Sequence, residues 1–297
     1  MPRPSRRTVL LGGLGVAAVA VVGAGYELVQ DGTLPGKYTL ARLDGTCGSP
    51  PPAPAGPRPT RHAATFYSEY RRTAVQMITL MPADAAAGPE LGAVVALHGT
   101  GSTAAGLADQ VAAAMTAARI ATFAVICVDG GDTYWHKRAN GDDPIGMIIH
   151  EVLPRAAATG VASEKIGIAG ESMGGYGALL LAQRMPAAAV AAVAALSPAI
   201  FASYADARSA NPGAFDSRQD FARNDVFAGI EALRHVPTWL AGGADDPFEP
   251  EATLFRARLA ALTGYRVPGG IVGGCHDEAF WLRNLPAALH FIGGHLG

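Results

Sequence analysis

The stretch Ile-Gly-Ile-Ala-Gly-Glu-Ser-Met-Gly-Gly-Tyr, residues 166–176, decides the fold of this chain. Its first four residues are small or apolar and predict a short buried strand, and the segment Met173–Met185 predicts a helix. Between them Gly170-Glu171-Ser172-Met173-Gly174 matches the pattern G-x-S-x-G. In this position the pattern predicts a sharp turn that holds the serine hydroxyl above the edge of a sheet, the alternative being a plain strand-to-helix turn.

Apolar runs alternate with segments of helical spacing on both sides of this turn. The alternation predicts an α/β chain with a mostly parallel sheet and helices on both faces, as in the α/β-hydrolase fold. Residues 199–235 are too many for a simple connection and predict a small cap insertion. The predicted strands are Val75–Met81, Gly92–Leu97, Phe123–Val128, Ile166–Ala169, Val190–Leu196, Thr238–Ala241 and Gly270–Val272. The other predicted helices are Ala104–Ala118, Ile145–Ala157, Glu251–Leu262 and Glu278–Ile292.

A histidine that serves as base should follow the nucleophile along the chain, after an Asp or Glu. His276 is the best candidate, because it lies in a glycine-rich loop directly after the predicted strand Gly270–Val272. A loop at the carboxyl end of a strand is able to reach over the turn that carries the serine. His290 lies on a predicted helix and is expected to pack there. The two further histidines are His235, before a strand, and His295, at the chain end.

The acid that orients this histidine is expected after the strand Thr238–Ala241. Asp245 and Asp246 both lie there, and Glu249 is a weaker third candidate. We choose Asp246, because Asp-Pro directly after a glycine turn is the form found in related hydrolases. Asp245 has an alternative role in capping the turn.

These residue types support nucleophilic catalysis. Ser172 is expected to attack an acyl carbon while His276 takes its proton and later donates that proton to the leaving group. Asp246 is expected to hold the imidazole in the required tautomer. The sequence therefore predicts a serine hydrolase with a Ser172–His276–Asp246 triad.

The loop Leu97-His98-Gly99-Thr100-Gly101 ends an early predicted strand and is expected to complete the site. In this fold one oxyanion donor comes from such a loop and the other from the residue after the nucleophile. The backbone N–H groups of Met173 and of Gly99 or Thr100 are therefore the predicted donors. His98 is expected to support the loop by hydrogen bonding.

A second loop, Asp129–His136, also follows a strand end. Tyr134 and Trp135 in this loop are predicted to line the substrate pocket, with the filling of a surface groove by Trp135 as an equal alternative. We predict no metal site, because no two candidate ligands share an element at ligand spacing. We predict no nucleotide cofactor, because no G-x-G-x-x-G follows a strand.

Composition excludes other classes of protein. Of the 297 residues, 49% are hydrophobic and 16% are charged. This composition allows a sizeable apolar core and excludes an intrinsically disordered chain. The formal net charge of -2 leaves no basic excess, so we predict no nucleic-acid partner.

The N-terminus predicts export. Arg6 and Arg7 precede the uncharged stretch Val9–Tyr26, which is the order of a twin-arginine (Tat) signal. Residues 1–26 are therefore the predicted signal, with a membrane anchor as the alternative. Residues 27–65, rich in proline and glycine, are the predicted linker, and 66–297 the predicted catalytic domain.

Three cysteines fit an exported protein, since export permits disulfides. Cys127 lies in a predicted buried strand and is expected to pack as a small apolar residue. Cys47 and Cys275 both fall in predicted loops, and we predict that they pair, with three reduced cysteines as the alternative, because a cysteine count does not give connectivity.

The region from about Phe66 to the end of the chain resembles the esterase D, antigen 85-like and poly-hydroxybutyrate-depolymerase-type branch of α/β-hydrolases, and feruloyl-esterase-like secreted esterases. The resemblance implies hydrolysis of small-molecule or lipid carboxylic esters without a cofactor. Glu171 is a departure, because esterase D-like proteins often carry His there, and it weighs against a formylglutathione substrate. The matching residues are Leu97-His98-Gly99, Asp129-Gly130-Gly131, Gly170–Ala178, Asp246-Pro247-Phe248 and Gly274-Cys275-His276-Asp277.

A secreted esterase or lipase is therefore the leading hypothesis. A cell-envelope acyltransferase would use the same triad with a sugar or lipid acceptor in place of water. A serine peptidase and a non-catalytic binding module are the remaining alternatives.

Overall fold

The computed structural model describes residues 37–83 and 91–296. Within these residues the chain forms one sheet of eight strands. The strands are β1 (Thr60–Ser68), β2 (Thr73–Met81), β3 (Leu91–Leu97), β4 (Phe123–Val128), β5 (Val161–Glu171), β6 (Val190–Leu196), β7 (Thr238–Gly243) and β8 (Gly269–Val272). Their order across the sheet is β1-β2-β4-β3-β5-β6-β7-β8. Strand β2 runs antiparallel to β1 and β4, and the other neighbours are parallel, which confirms the predicted α/β-hydrolase architecture.

Helices cover both faces of the sheet, and each face has its own apolar core. Val94 and Val95 are neighbours on β3 and fully buried, yet they belong to different cores, because successive side chains of a strand point to opposite faces. The helices are α1 (Lys37–Leu43), α2 (Ala104–Ala118), α3 (Pro144–Met147), α4 (Leu153–Ala157), α5 (Met173–Arg184), α6 (Tyr204–Ala210), α7 (Arg218–Arg223), α8 (Glu249–Thr263) and α9 (Glu278–Gly293). Helices α2 and α9 pack on the Val94 face, and α5 and α8 on the Val95 face.

The sheet begins earlier than the sequence predicts. Strand β1 starts at Thr60, inside the segment 27–65 that was predicted to be a linker, and α1 also lies in that segment. The side chains of β1 are mostly exposed on both faces, so the strand lacks the apolar alternation that marks a half-buried strand. The predicted boundary at residue 66 is therefore too late by most of one edge strand.

The predicted helix Ile145–Ala157 is a helical run with a change in hydrogen bonding. Asp143 caps its start by accepting a hydrogen bond from the Gly146 N–H. A π-helical turn, Ile148–Val152, separates α3 from α4. Pro154 follows that turn and has no N–H to offer the preceding turn of an α-helix, which accounts for the local irregularity.

The predicted insertion at 199–235 holds two short helices, α6 and α7, and a 3-10 turn, Ile230–Leu233. Phe215 and Phe221 from this segment are buried and belong to the Val95-face core. The insertion therefore packs on the domain and contributes to its core.

No helix in the residues 37–83 and 91–296 is long and apolar enough to cross a membrane. The predicted signal or anchor at 1–26 lies outside the described residues.

Candidate active site

The turn between β5 and α5 holds Ser172 in a strained conformation. The serine has φ 54° and ψ -121°, a region that non-glycine residues rarely adopt. The glycines on either side are required by close packing. A Cβ on Gly170 would collide with the carbonyl group of Gly174, and a Cβ on Gly174 would collide with the carbonyl group of Leu97. The predicted G-x-S-x-G turn therefore has a steric reason for each glycine.

Three side chains meet at the carboxyl edge of the sheet. The hydroxyl oxygen of Ser172 lies 2.8 Å from Nε2 of His276. The other ring nitrogen, Nδ1, lies 3.0 and 2.9 Å from the two carboxylate oxygens of Asp246. A carboxylate only accepts hydrogen bonds, so Nδ1 carries the proton and Nε2 is left to accept the serine proton. The structure thus brings together all three residues of the predicted triad.

The two aspartates after β7 point in different directions. One carboxylate oxygen of Asp246 also accepts a hydrogen bond of 2.8 Å from the Phe248 N–H, which fixes the side chain. Asp245 accepts a hydrogen bond of 3.1 Å from the Thr46 hydroxyl and so faces the N-terminal segment. Glu249 accepts from Thr253 on the first turns of α8. Of the three candidate acids, only Asp246 reaches the histidine.

The loop after β3 lies directly against the nucleophile. A Cβ built on Gly99 would stand 3.2 Å from the Ser172 Cβ, so the backbone of the loop approaches the turn closely. Nδ1 of His98 donates to the Gly99 carbonyl at 2.8 Å, and its Nε2 accepts from the Gly130 N–H at 3.0 Å. Burial lowers the pKa of His98, which keeps the ring neutral as these two bonds require. His98 therefore supports its own loop by hydrogen bonding, as predicted, and also links that loop to the one that follows β4.

Glu171 is buried between the loop and the nucleophile, a feature that sequence reasoning missed. Burial, with the charge of Glu278 as a second cause, raises the pKa of Glu171 to about 8. A hydrogen bond from the Gly99 backbone acts in the opposite direction. Gly99 and Thr100 both line the cavity beside Ser172, so both backbone N–H groups remain the predicted loop donors for the oxyanion. Glu171 is the last residue of strand β5, directly before the turn that carries Ser172, and this position is the sequence signal that its side chain is buried.

Comparison with known protein families identifies the family of this chain. The family model described as "Putative esterase" matches residues 68–292, which is well over half of the chain. The chain belongs to this esterase family. It is an enzyme of the serine hydrolase type, and carboxylic esters of small molecules are its substrate class. No curated protein sequence matches the chain.

Three solved structures with similar folds are distant in sequence. A ferulic acid esterase has a TM-score of 0.65 at 18% identity, over 82% of this chain and 100% of that one. An S-formylglutathione hydrolase from Agrobacterium tumefaciens has a TM-score of 0.66 at 15% identity, over 82% and 98%. The fluorophosphonate-binding serine hydrolase F of Staphylococcus aureus has a TM-score of 0.65 at 18% identity, over 80% and 99%. At these identities the likeness shows the fold.

The prediction that Tyr134 and Trp135 line the substrate pocket of the esterase is wrong. Their exposed fractions are 3% and 0%, and both belong to the Val95-face core. Both have left-handed backbone, with φ 57° and 59°, which turns the loop inward. The indole N–H of Trp135 donates to the His98 carbonyl at 3.2 Å, and its ring lies where Gly130 and Gly177 have no side chain. These two aromatic residues support the catalytic loops from below.

The cavity beside Ser172 is lined mainly by helices α2 and α9. It has a volume of about 730 Å³. The ring of Trp281 stands edge-on to His276 with 5.5 Å between centroids. The lining residues are Gly99, Thr100, Ser102, Gly106, Asp109, Gln110, Ala113, Glu171, Ser172, His276, Glu278, Trp281 and Leu282. Sequence reasoning missed the α2 residues, because nothing in a helical pattern tells which face borders a cavity.

A disulfide fixes the N-terminal segment beside the histidine loop. The structure joins Cys47 to Cys275, the residue before His276. Arg283 on α9 donates hydrogen bonds of 2.9 Å to the Cys47 carbonyl and 2.8 Å to the Ser49 carbonyl. Cys127 is buried and free, as predicted. The esterase thus has its N-terminal segment bound at two points close to the triad.

Proposed function

We propose that this esterase hydrolyses carboxylic esters through an acyl-enzyme on Ser172, and that it acts outside the cytoplasm. The observation that carries the mechanism is the continuous contact from the Ser172 hydroxyl through the His276 ring to the Asp246 carboxylate. Family membership favours ester hydrolysis over the peptidase and acyltransferase alternatives.

Acylation follows from the positions of the three side chains. His276 Nε2 takes the proton from the Ser172 hydroxyl as its oxygen forms a bond to the acyl carbon, and the carbonyl electrons move to the acyl oxygen. When the tetrahedral intermediate collapses, the bond to the alcohol oxygen breaks and His276 donates its proton to that oxygen. Asp246 stabilises the imidazolium between these two transfers.

Deacylation repeats the same proton transfers with water. His276 removes a proton from a water molecule as its oxygen attacks the acyl carbon. The bond to the Ser172 oxygen then breaks, the serine regains its proton from His276, and the carboxylic acid leaves. The net reaction consumes one ester and one water and yields one acid and one alcohol.

The negative oxygen of both intermediates is assigned to the backbone N–H groups of Met173 and of Gly99 or Thr100. Met173 begins α5, where free N–H groups and the helix dipole favour negative charge. A single donor of this kind typically contributes about 10²–10³ in rate. At neutral pH Glu171 carries its proton, so it places no negative charge beside the oxyanion.

Action outside the cytoplasm is supported by two features of the chain. Arg6 and Arg7 stand before an uncharged stretch in the order of a twin-arginine signal. The Cys47–Cys275 pairing suits an oxidising compartment, in which disulfides persist. Tethering to a membrane through residues 1–26 is the alternative if the signal is not cleaved.

A fluorophosphonate activity probe tests the proposed function, because it reacts with an activated serine. Wild-type protein should be labelled, and Ser172→Ala should not. Ser197→Ala is the matched control, since Ser197 is also buried and its hydroxyl has no hydrogen-bond partner among the described residues. A wild-type protein that is folded by circular dichroism yet stays unlabelled would overturn the proposal.

A further inference from the structure

A second cavity adjoins the active-site cavity and shares part of its wall. It has a volume of about 730 Å³, within the range of small-molecule sites. We call it the side groove: it lies between the proline-rich stretch 51–54, one face of α2 and residues 282–286 of α9. Asp109, Ala113 and Leu282 line both cavities. These three side chains therefore lie at the boundary between the two cavities, and the side groove begins where the cavity beside Ser172 ends.

The α2 wall of the side groove is made of small side chains. Ala112, Ala113 and Ala117 follow Asp109 at intervals that place all four residues on one face of the helix. Alanine on a half-exposed helix face leaves open space that a longer side chain would fill. The groove therefore exists because this face of α2 carries methyl groups.

Two of the three charged residues that line the groove, Asp109 and Arg283, already have partners. Asp109 forms an ion pair of 2.6 Å with Arg61. Arg283 donates to the backbone carbonyls of Cys47 and Ser49. Arg58, the third charged residue, is exposed at the groove, and the rest of the surface offered to a ligand is mainly the hydrocarbon of proline, alanine and leucine, with Leu282 at the boundary of the cavities.

The proline wall is held in place before any ligand arrives. The Cys47–Cys275 disulfide and the two hydrogen bonds from Arg283 fix the chain just before Pro51. Proline has a restricted φ, so the stretch has few alternative conformations. A preformed wall lowers the entropic cost of binding a flexible ligand.

We propose that the side groove binds the linear hydrocarbon chain of the ester, so that esters with medium or long chains are preferred over acetyl esters. The inference rests on the proposed function, because the chain enters the groove only while its carbonyl carbon lies at Ser172. The boundary that the groove shares with the active-site cavity and the apolar walls of the groove carry it. Each buried methylene contributes about 0.8 kcal/mol, so several methylenes give a large preference.

The experiment compares kcat/KM for p-nitrophenyl octanoate and p-nitrophenyl acetate. In Ala113→Phe the ring occupies the junction of the cavities, and we expect the octanoate-to-acetate ratio to fall about tenfold or more. Ala118→Phe is the control, because Ala118 lies on the same helix and lines neither cavity. Its ratio should equal that of wild type. Ethyl octanoate and octyl acetate then tell whether the acyl or the alcohol chain occupies the groove.

Leu282→Asp provides a second test if Ala113→Phe fails to fold. A carboxylate at the junction should lower the same ratio, since a hydrocarbon chain bound there would remove water from the charge. A ratio that is unchanged in both folded variants, for either type of octyl ester, overturns the inference while leaving ester hydrolysis intact. A wild-type protein that hydrolyses no ester overturns the proposed function instead.

Discussion

Two adjacent aspartates show how strongly the surroundings of a residue decide its role. Asp246 contacts the His276 ring, whereas Asp245 contacts Thr46 in the N-terminal segment. We expect Asp246→Asn to lower kcat by up to about 10⁴, because an amide no longer fixes the required imidazole tautomer. Asp245→Asn should lower kcat less than about tenfold. Steady-state kinetics on p-nitrophenyl acetate gives kcat for both variants. A greater loss of kcat in Asp245→Asn than in Asp246→Asn would reverse the assignment of the acid.

Glu171 should make the stability of the fold depend on pH. Its pKa is raised from an ordinary 4.5 to about 8, chiefly by burial. Between those pH values the folded protein retains a proton that the unfolded chain has released. The free energy of unfolding therefore falls as pH rises, at about 1.4 kcal/mol per pH unit from this group. The contribution is constant below and above that window.

The measurement is urea unfolding from about pH 5 to about pH 8. Glu171→Gln should remove this slope, since glutamine does not titrate. Glu164→Gln on the same strand is the control, because Glu164 is exposed. Equal slopes in wild type and Glu171→Gln would show that Glu171 is charged in the folded protein.

A functional residue could be predicted where a rule of the fold relates its order along the chain to its position in the structure. In the α/β-hydrolase fold the nucleophile, acid and base follow one another at the ends of successive strands, so Ser172, Asp246 and His276 were accessible from sequence. Tyr134 and Trp135 were not, because two left-handed residues turn their loop into the core. The alternation of apolar residues carries no information about such a turn.

Among the elements, the central strands were predicted well, and the edge strand β1 was not predicted. Strands β4 and β6 have the predicted bounds, since both are apolar and buried along their whole length. Strand β1 is exposed and has one neighbour, so its pairing with β2 rests on backbone hydrogen bonds that leave no pattern in the side chains. Its location is set by the sheet it joins.

The proline-rich segment is the part of the chain where the structure differs most from the prediction. Its composition predicts a linker, yet the structure places it against α2 and α9 as a wall of the side groove. The contacts that hold it come from residues distant in sequence: the disulfide partners are separated by 228 positions. Proline-rich sequence excludes helix but does not exclude a fixed position.

Removal of the disulfide should destabilise this arrangement. We expect Cys47→Ala/Cys275→Ala to lower the free energy of unfolding by about 2–5 kcal/mol, as for native disulfides in exported domains. Thermal unfolding is followed by circular dichroism with and without dithiothreitol. The reductant should lower the Tm of wild type and leave the double variant unchanged. An equal effect of the reductant on both proteins would show that this disulfide does not support the fold.

The whole molecule combines an α/β-hydrolase domain, whose site lies at the carboxyl ends of its strands, with an N-terminal segment bound across one side of that site. Because β5, β7 and β8 end at the same edge, the loops that carry Ser172, Asp246 and His276 converge. The sheet thus fixes the catalytic geometry. The helices shape the active-site cavity and, together with the N-terminal segment, the side groove, and they are the parts that sequence patterns left undetermined.

Export is a property of the whole chain, and substitutions in its first residues test it. Replacement of Arg6 and Arg7 by lysine keeps the charge but removes the paired guanidinium groups of the predicted twin-arginine signal. We expect Arg6→Lys/Arg7→Lys to accumulate inside the cell, because the receptor for this route reads the arginine pair. Arg3→Lys is the control, since it changes the same charged region and leaves the pair intact. Immunoblots of cell and culture fractions give the exported share. Undiminished export of the double variant would exclude the twin-arginine route, while the catalytic proposal would stand.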